Sequence, residues 1–441
     1  MKRNALWVIL VMLPWQASGS VLDTFGFGAR AMGMGSAHTA IASDTSANYY
    51  NPGALTRQPH VEISGGYLMT FTSLRINERD LGVDEVNGSM LGLNVPGEIG
   101  PIRAAMGLAF YMPDDRISRV RALPESQPRF VLFDNRNQHV EIRANLAIRP
   151  IKSFSIGAGL AFLTGTKGVV TIDGSLTNIP EEAQLETSVD VTFETARFPV
   201  AGLLWEPSDT WDLGLTYRGQ SLVELDIAAH VDAQITGLLG AQALDGTLEV
   251  GSFNTNFFSP HQIFFGLGWV SPWRTLFAID LGWLHWSAFP TPTAKVDIDV
   301  QIPPLETDTL LPAPATPLSP GFQDIVVIKT GLEHSFVHSP GLSFVLRTGY
   351  GFEPSPTPAQ TGLTNFMDAD KHMVTAGVGV GLFANPHQGE EHPLQLDIST
   401  QMLLLEPTQT QKDSPADPIG DMEVSGEVWT LMIQAKGRFP W

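Results

Sequence analysis

The chain has 441 residues, a formal net charge of −20 and no cysteine. The acidic balance argues against nucleic acid as a partner, and the missing thiols exclude disulfides, thiol chemistry and a lipidated leader. Charged residues are only 16% of the chain, yet beyond the first twenty positions no segment reaches the roughly 18 uncharged apolar residues of a membrane helix.

Residues 1–19 read as a secretory signal peptide: Lys2 and Arg3, an apolar core Ala5–Leu13, and the small residues Ala17-Ser-Gly19 with cleavage after Gly19. Residues 20–60 do not alternate. They hold Phe25-Gly-Phe-Gly-Ala-Arg-Ala-Met-Gly-Met-Gly-Ser36 and Asp44-Thr-Ser-Ala-Asn-Tyr-Tyr-Asn-Pro-Gly-Ala-Leu55, rich in apolar and aromatic residues and poor in charge. The run Gly26-Phe-Gly28-Ala-Arg-Ala31 matches a dinucleotide fingerprint only formally, because no strand precedes it and no βαβ unit surrounds it. A compact, glycine-bent plug fits better than a disordered tail.

From about Val61 to Trp441 the chain alternates. In His139–Arg149, Val140, Ile142, Ala144, Leu146 and Ile148 face one way and Glu141, Arg143, Asn145 and Arg149 the other. About 14 such strands fall near 61–72, 86–96, 102–112, 138–149, 153–166, 190–206, 211–230, 256–270, 274–288, 322–337, 341–353, 371–383, 393–405 and 425–440. Tight turns at Gly97–Pro101, Pro150–Lys152, Glu206–Thr210, Ser271-Pro272 and Ser339-Pro340 separate long stretches at 113–137, 167–189, 231–255, 289–321, 354–370 and 406–424. Asn385–His392 is the one long turn at the short end, and the alternating Ala294–Ile302 makes an extra hairpin in 289–321 an open alternative. Short turns at one end and long loops at the other are the pattern of an outer-membrane barrel of a Gram-negative cell. The expected fold is all-β: a transmembrane antiparallel β-barrel of about 14 strands over 61–441, its lumen plugged by an N-terminal hatch over 20–60, since so wide a barrel needs filling. Trp205 and Trp211 flank one short turn and Trp269 and Trp273 another, as interfacial girdles do. The terminal alternation of Leu431, Ile433, Ala435, Gly437, Phe439 and Trp441 suits recognition by the barrel-assembly machinery.

The run Phe25–Leu55, with Asn51-Pro52-Gly53-Ala54, resembles the hatch of the long-chain fatty-acid outer-membrane transporters, the FadL/TodX family, which carries Asn-Pro-Ala without the intervening glycine. Arg347-Thr-Gly-Tyr350, Glu353-Pro-Ser-Pro356, Pro358 and Asn365-Phe-Met-Asp-Ala-Asp-Lys-His372 resemble the same family's proline-rich loop ahead of a glycine-rich strand, here Val374–Leu382. The resemblance implies passive uptake of long-chain fatty acids or other hydrophobic compounds, a ligand pocket touched by the hatch tip, and a sideways exit into membrane lipid at a kink in the third strand. Leu22, Phe25 and Phe27 then become candidate ligand contacts, Asn51, Pro52 and Gly53 candidate hatch or gating residues, and Pro101 and Gly107 candidate kink residues.

Arg103, Arg143, Lys329 and Arg347 lie on strands. Arg143 and Arg347 are the candidate grips for a carboxylate, against plain pairing with a lumen acid such as Glu141 or Asp397. Asp368, Asp370 and His372, like His387, Glu390, Glu391 and His392, read as structural or solvated groups rather than metal ligands. No nucleophile motif, catalytic residue, metal site or cofactor is expected, so an outer-membrane hydrolase is disfavoured. A hatch disfavours an open porin. Phe130, Val131, Leu132, Phe133, Leu238 and Leu239 supply apolar outer-loop lining for transport. The competing reading is a barrel of the same fold serving as a secretion-associated docking or structural protein. A monomer is expected in either case.

Overall fold

The computed structural model describes residues 20–115, 128–130, 132–133, 139–176, 184–236, 243–290, 295–301, 321–339, 341–360, 364–382, 393–412 and 420–440. The expected signal peptide, the turn Asn385–His392, and Val131, Leu238, Leu239 and Trp441 lie outside them. No helix among the described residues is long and apolar enough to cross a membrane.

Fourteen strands cross instead. They are β1 (Val61–Ile76), β2 (Gly88–Ile99), β3 (Ile102–Pro113), β4 (Glu141–Ile151), β5 (Phe154–Leu176), β6 (Gln184–Ser208), β7 (Trp211–Arg218, resuming as Ser221–Thr236), β8 (Ala243–Ser259, resuming as Gln262–Val270), β9 (Thr275–Leu284), β10 (Ile325–Ser339), β11 (Leu342–Glu353), β12 (Lys371–Leu382), β13 (Leu394–Thr410) and β14 (Met422–Phe439). Each pairs antiparallel with the next, and β1 closes on β14 from Val61↔Phe439 to Ile76↔Val424. Pairing the first strand with the last closes the sheet on itself, as a sheet in hydrocarbon requires.

The two faces sort as the alternation requires. On β4, Leu146 is 66% exposed while Arg143 is buried; on β14, Ile433 faces out while Gln434 and Lys436 are buried. Leucine, isoleucine and phenylalanine cover the lipid side, and the rings of Trp205, Trp211 and Trp273 stand exposed at the short-turn end. The girdle also stacks: Trp211 and Trp269 lie 6.0 Å apart.

Two stretches expected as loops, 167–189 and 231–255, are largely strand. β5–β6 and β7–β8 run on as long hairpins, the latter paired from Ser221↔Ser259 to Thr236↔Ala243. Among the described residues of 289–321, Lys295–Gln301 forms one strand, which adds to this outer sheet against Thr247–Phe253. Alternation of Val, Ile and Thr with Asp and Glu specifies a strand whether or not lipid surrounds it, so sequence alone does not mark where the membrane stops.

Above Val200↔Arg218 the β6–β7 ladder ends. The last bond there is from Gly219 N to Pro199 O, 2.8 Å. Proline has no N–H to continue the ladder, and higher up β7 instead touches β5, Asp232–Ala233 against Ser175–Leu176.

Candidate functional site

Residues 20–58 fill the lumen as three short helices, α1 (Val21–Phe25), α2 (Ala29–Gly33) and α3 (Ala47–Tyr50), followed by a 3-10 turn over Pro52–Arg57. Gly26, Gly28 and Gly35 take positive φ and make the bends between them. The hatch fits because the wall is thinned beneath it. A Cβ on Gly107 would overlap Asn48 Oδ1, and one on Gly157 would overlap Pro52. Gly107, expected as a kink residue, is thus where β3 accommodates the hatch. β3 itself pairs without register shift with β2 and with β4 over Arg103–Tyr111, and Pro101 lies in the turn before it.

Asn51 ties hatch to wall. Its Nδ2 donates to Thr39 O and to Leu203 O of β6, both 2.9 Å, and its Oδ1 accepts from Gly53 N at 3.0 Å. Asp280 of β9 accepts from the backbone N–H groups of His38 and Thr39, each at 2.9 Å.

Charges do the rest of the anchoring. Arg30 of α2 holds Glu333 of β10 through Nε and Nη2, at 2.8 and 2.9 Å. Glu333 also meets Arg347 of β11 at 2.6 Å, and Arg347 meets Asp397 of β13 at 2.6 Å. Lys436 of β14 sits 2.9 Å from Asp397 and 3.0 Å from Asp44, back on the hatch. This alternating chain begins and ends on the hatch and crosses four wall strands. It borders a polar cavity of about 200 Å³ at the short-turn end, lined also by Ser343, Gln395 and Arg438. Burial opposes ionisation of Asp44, but the Lys436 ammonium holds its carboxyl well below the usual range. Burial, reinforced by the Arg30 charge, pushes the His38 imidazole down to about 3, so His38 is neutral, and neither ring nitrogen has a hydrogen-bond partner among the described residues.

A second cavity, about 60 Å³, lies on the outer side of the hatch tip. Phe264, Leu284, Trp286, Val327, Phe352 and Met373 give it apolar walls, and Leu132 and Phe133 close it from above. That roof is fixed by a two-residue parallel bridge, Phe366–Met367 on Arg129–Phe130. The hatch contributes Asp23 and Thr24; Leu22, Phe25 and Phe27, the expected ligand contacts, are buried and do not line this cavity. Of the cations on the lining, Arg218 bonds Tyr49 and Gln262 at 3.0 and 2.9 Å, and Lys371 bonds Asp368 at 2.8 Å and Glu353 at 3.3 Å. Lys329 of β10 stands apart. Its Nζ lies 5.3 Å over the Phe264 ring, with no ion pair among the described residues. The Trp286 indole N–H is also buried without an acceptor among the described residues.

Arg143 and Arg347 line other places. Arg143 pairs with Glu141 at 2.6 Å, its guanidinium 4.5 Å over Tyr49, and borders a smaller cavity near Ser20. Arg347 belongs to the charge chain at the opposite end. Parity along β10 places Val327, Lys329 and Glu333 on one face, so Lys329 was legible as lumen-facing; that it stands opposite Asp280 without closing an ion pair was not.

A closed barrel plugged by its own N-terminal segment is the architecture of an outer-membrane transport protein. Residues 105–439 match the family described as outer membrane protein transport protein (OMPP1/FadL/TodX), and the chain belongs to that family, which comprises transport proteins rather than enzymes. Among solved structures it is similar to a Pseudomonas aeruginosa FadL homologue, at 14% identity and TM-score 0.56 over 97% of this chain and 99% of that one. It is likewise similar to the CymD monoaromatic hydrocarbon channel, at 15% and 0.56 over 96% and 100%, and to the P. putida toluene transporter TodX, at 15% and 0.54 over 95% and 99%. No curated protein matches the chain. At such identities the likeness shows the fold.

Proposed function

We propose that this protein takes up long-chain fatty acids, or closely similar hydrophobic carboxylates, by passive diffusion gated by the hatch tip. The observation that carries this reading is Lys329, a cation that closes no ion pair among the described residues and stands over the Phe264 ring in a cavity with largely apolar walls. A desolvated ammonium is costly unless a counter-charge arrives. A carboxylate with an alkyl tail engages both the ammonium and the walls, each buried methylene contributing about 0.8 kcal/mol; a plain aromatic hydrocarbon engages the walls alone.

Gating follows from size. A cavity of about 60 Å³ is far below the roughly 300 Å³ at which ligand pockets begin, so the conformation described is a closed one. Asp23 and Thr24 border the cavity, and withdrawal of the tip around them, with Leu22, Phe25 and Phe27, enlarges it. The Asn51-Pro52-Gly53 turn, bonded to β6, serves as the fixed end of that movement.

For exit, β3 must first break its ladder if the route runs past Pro101 and Gly107. The β6–β7 parting at Pro199 and Gly219 needs no such step. It stands seven residues above Trp211, roughly 18 Å along the membrane normal for a tilted strand and so within an apolar band roughly 25 Å tall. Release there places the ligand directly among lipid tails. Insertion by the barrel-assembly machinery and function as a monomer belong to the same reading.

The test is uptake of labelled long-chain fatty acid, and separately of toluene, by cells lacking their own transporter. The intact chain restores fatty-acid uptake, deletion of 20–27 abolishes it, and Lys329→Met lowers it about tenfold while leaving toluene entry unchanged. Uptake of toluene alone overturns the substrate class. No uptake of either by a folded barrel moves the reading to a docking role.

A further inference from the structure

Glu141 of β4 is buried in the lumen at 3% exposure. Its Oε1 is occupied by Arg143 Nε at 2.6 Å, while its Oε2 receives the hydroxyl of Ser20 at 3.1 Å. A neutral hydroxyl is a weak partner for a buried carboxylate oxygen, which gains most from a charged donor. The other acid of the tip, Asp23, is already met by the hydroxyls of Tyr49 and Ser259 at 2.6 and 2.8 Å and by Arg218 at 3.6 Å. Glu141 Oε2 is therefore the place at the hatch tip where a further cation is most favourable.

Ser20 is also the residue that follows the expected cleavage point, and it is itself buried. We propose that cleavage between Gly19 and Ser20 makes an α-ammonium that binds Glu141, so that the tip is fastened by a charge only the processed chain possesses. The reaction is a hydrolysis at the hands of a signal peptidase. Water adds its hydroxyl to the Gly19 carbonyl and its proton to the Ser20 nitrogen as the peptide bond breaks; at neutral pH the leader departs as a carboxylate and Ser20 remains as an ammonium.

The geometry suits this. Bond lengths hold the nitrogen and hydroxyl of one serine about 3 Å apart, which puts the ammonium within about 6 Å of Glu141 Oε2 before any torsion adjusts, inside the range at which opposite charges act strongly. The uncut amide offers one neutral donor; the ammonium offers three charged ones. Ser20 also caps α1, its hydroxyl accepting from Leu22 N at 3.3 Å. A positive charge at a helix N-terminus opposes the helix dipole, so the site needs a carboxylate on its outer side, and Glu141 supplies it. The inference rests on the signal peptide and not on the transport reading.

The test uses the folded full chain purified from outer membranes, its fold checked by heat-modifiable gel migration. Mass spectrometry of the N-terminal peptide gives its first residue, expected to be Ser20; any other start overturns the proposal. Brief labelling with an amine-reactive reagent at neutral pH is then read on that peptide. Labelling of the wild type is expected to be roughly tenfold slower than that of Glu141→Gln, one ion pair's worth of protection. Should that variant not fold, Ser20→Ala keeps the ammonium and loses only the hydroxyl, and its α-amine stays protected. Equal labelling of wild type and Glu141→Gln, or loss of protection in Ser20→Ala, shows that the hydroxyl was the real partner and sinks the idea.

Discussion

Single residues decide how closely the hatch sits against the wall. Gly107 faces Asn48 with no room for a methyl group. Gly107→Ala is expected to destabilise the closed hatch by about 1–3 kcal/mol, the usual cost of overpacking, seen as a lower temperature at which the heat-modifiable band shifts. His38 gives a pH dependence whose sign is fixed by its depressed pKa. The folded state binds fewer protons than the unfolded one between about 6.5 and 3, so stability is complete above pH 6.5 and falls as pH drops below it. The slope is about 1.4 kcal/mol per unit, or roughly 3 kcal/mol by pH 4.5. Asp44, held low beside Lys436, adds a loss of the same sign below about pH 3.8. Protection factors of the hatch amides, corrected for the intrinsic exchange rate at each pH, are expected to fall between pH 7 and 4.5 in the wild type and to stay flat over that range in His38→Gln. At this scale the sequence was half readable. Glu141 and Arg143 stand two apart on one strand face, so their pairing follows from parity; Arg347 and Asp397 are 50 residues apart and meet only because β11, β12 and β13 are neighbours.

Among elements, the hatch is held by a relay of charges rather than by apolar packing alone. Arg30, Glu333, Arg347, Asp397, Lys436 and Asp44 alternate in sign, and Arg347 and Asp397 are almost fully buried. Removing one member strands its neighbours in a low-dielectric lumen, which costs about 3–5 kcal/mol for a buried pair. Arg347→Met is expected to loosen the hatch by that order, read as protease cleavage within 28–58 of the folded barrel. If the variant resists protease as the wild type does, the relay is not what retains the hatch. Strand existence and order were visible in the alternation, whereas the lengths of β5 to β8 were not, because hairpins rising above the membrane keep the same pattern. The helices of the hatch, four or five residues each, are too short for any helical period to show.

For the molecule as a whole, the filled lumen separates this barrel from a porin. The polar cavity of about 200 Å³ at the short-turn end is lined on its hatch side by Arg30, Ser43 and Asp44, so the hatch charges border it. A double variant, Arg30→Met with Lys436→Met, is expected to admit sugar-sized solutes in a liposome-swelling assay that the wild type excludes.

The pairing of β1 with β14 also imposes an order on biogenesis. Asp44 and Lys436 are 392 positions apart, and the strand that bears Lys436 is the last to be made. Until β14 arrives, the sheet has two open margins and the hatch lacks two of its ties to the wall, Lys436 and Gln434. Contacts so distant along the chain form slowly, leaving a long interval in which both margins stay unpaired. The final zippering of β14 onto β1 then does two jobs at once, sealing the cylinder and trapping its contents. A hatch not already in place at that moment has to thread into a finished ring.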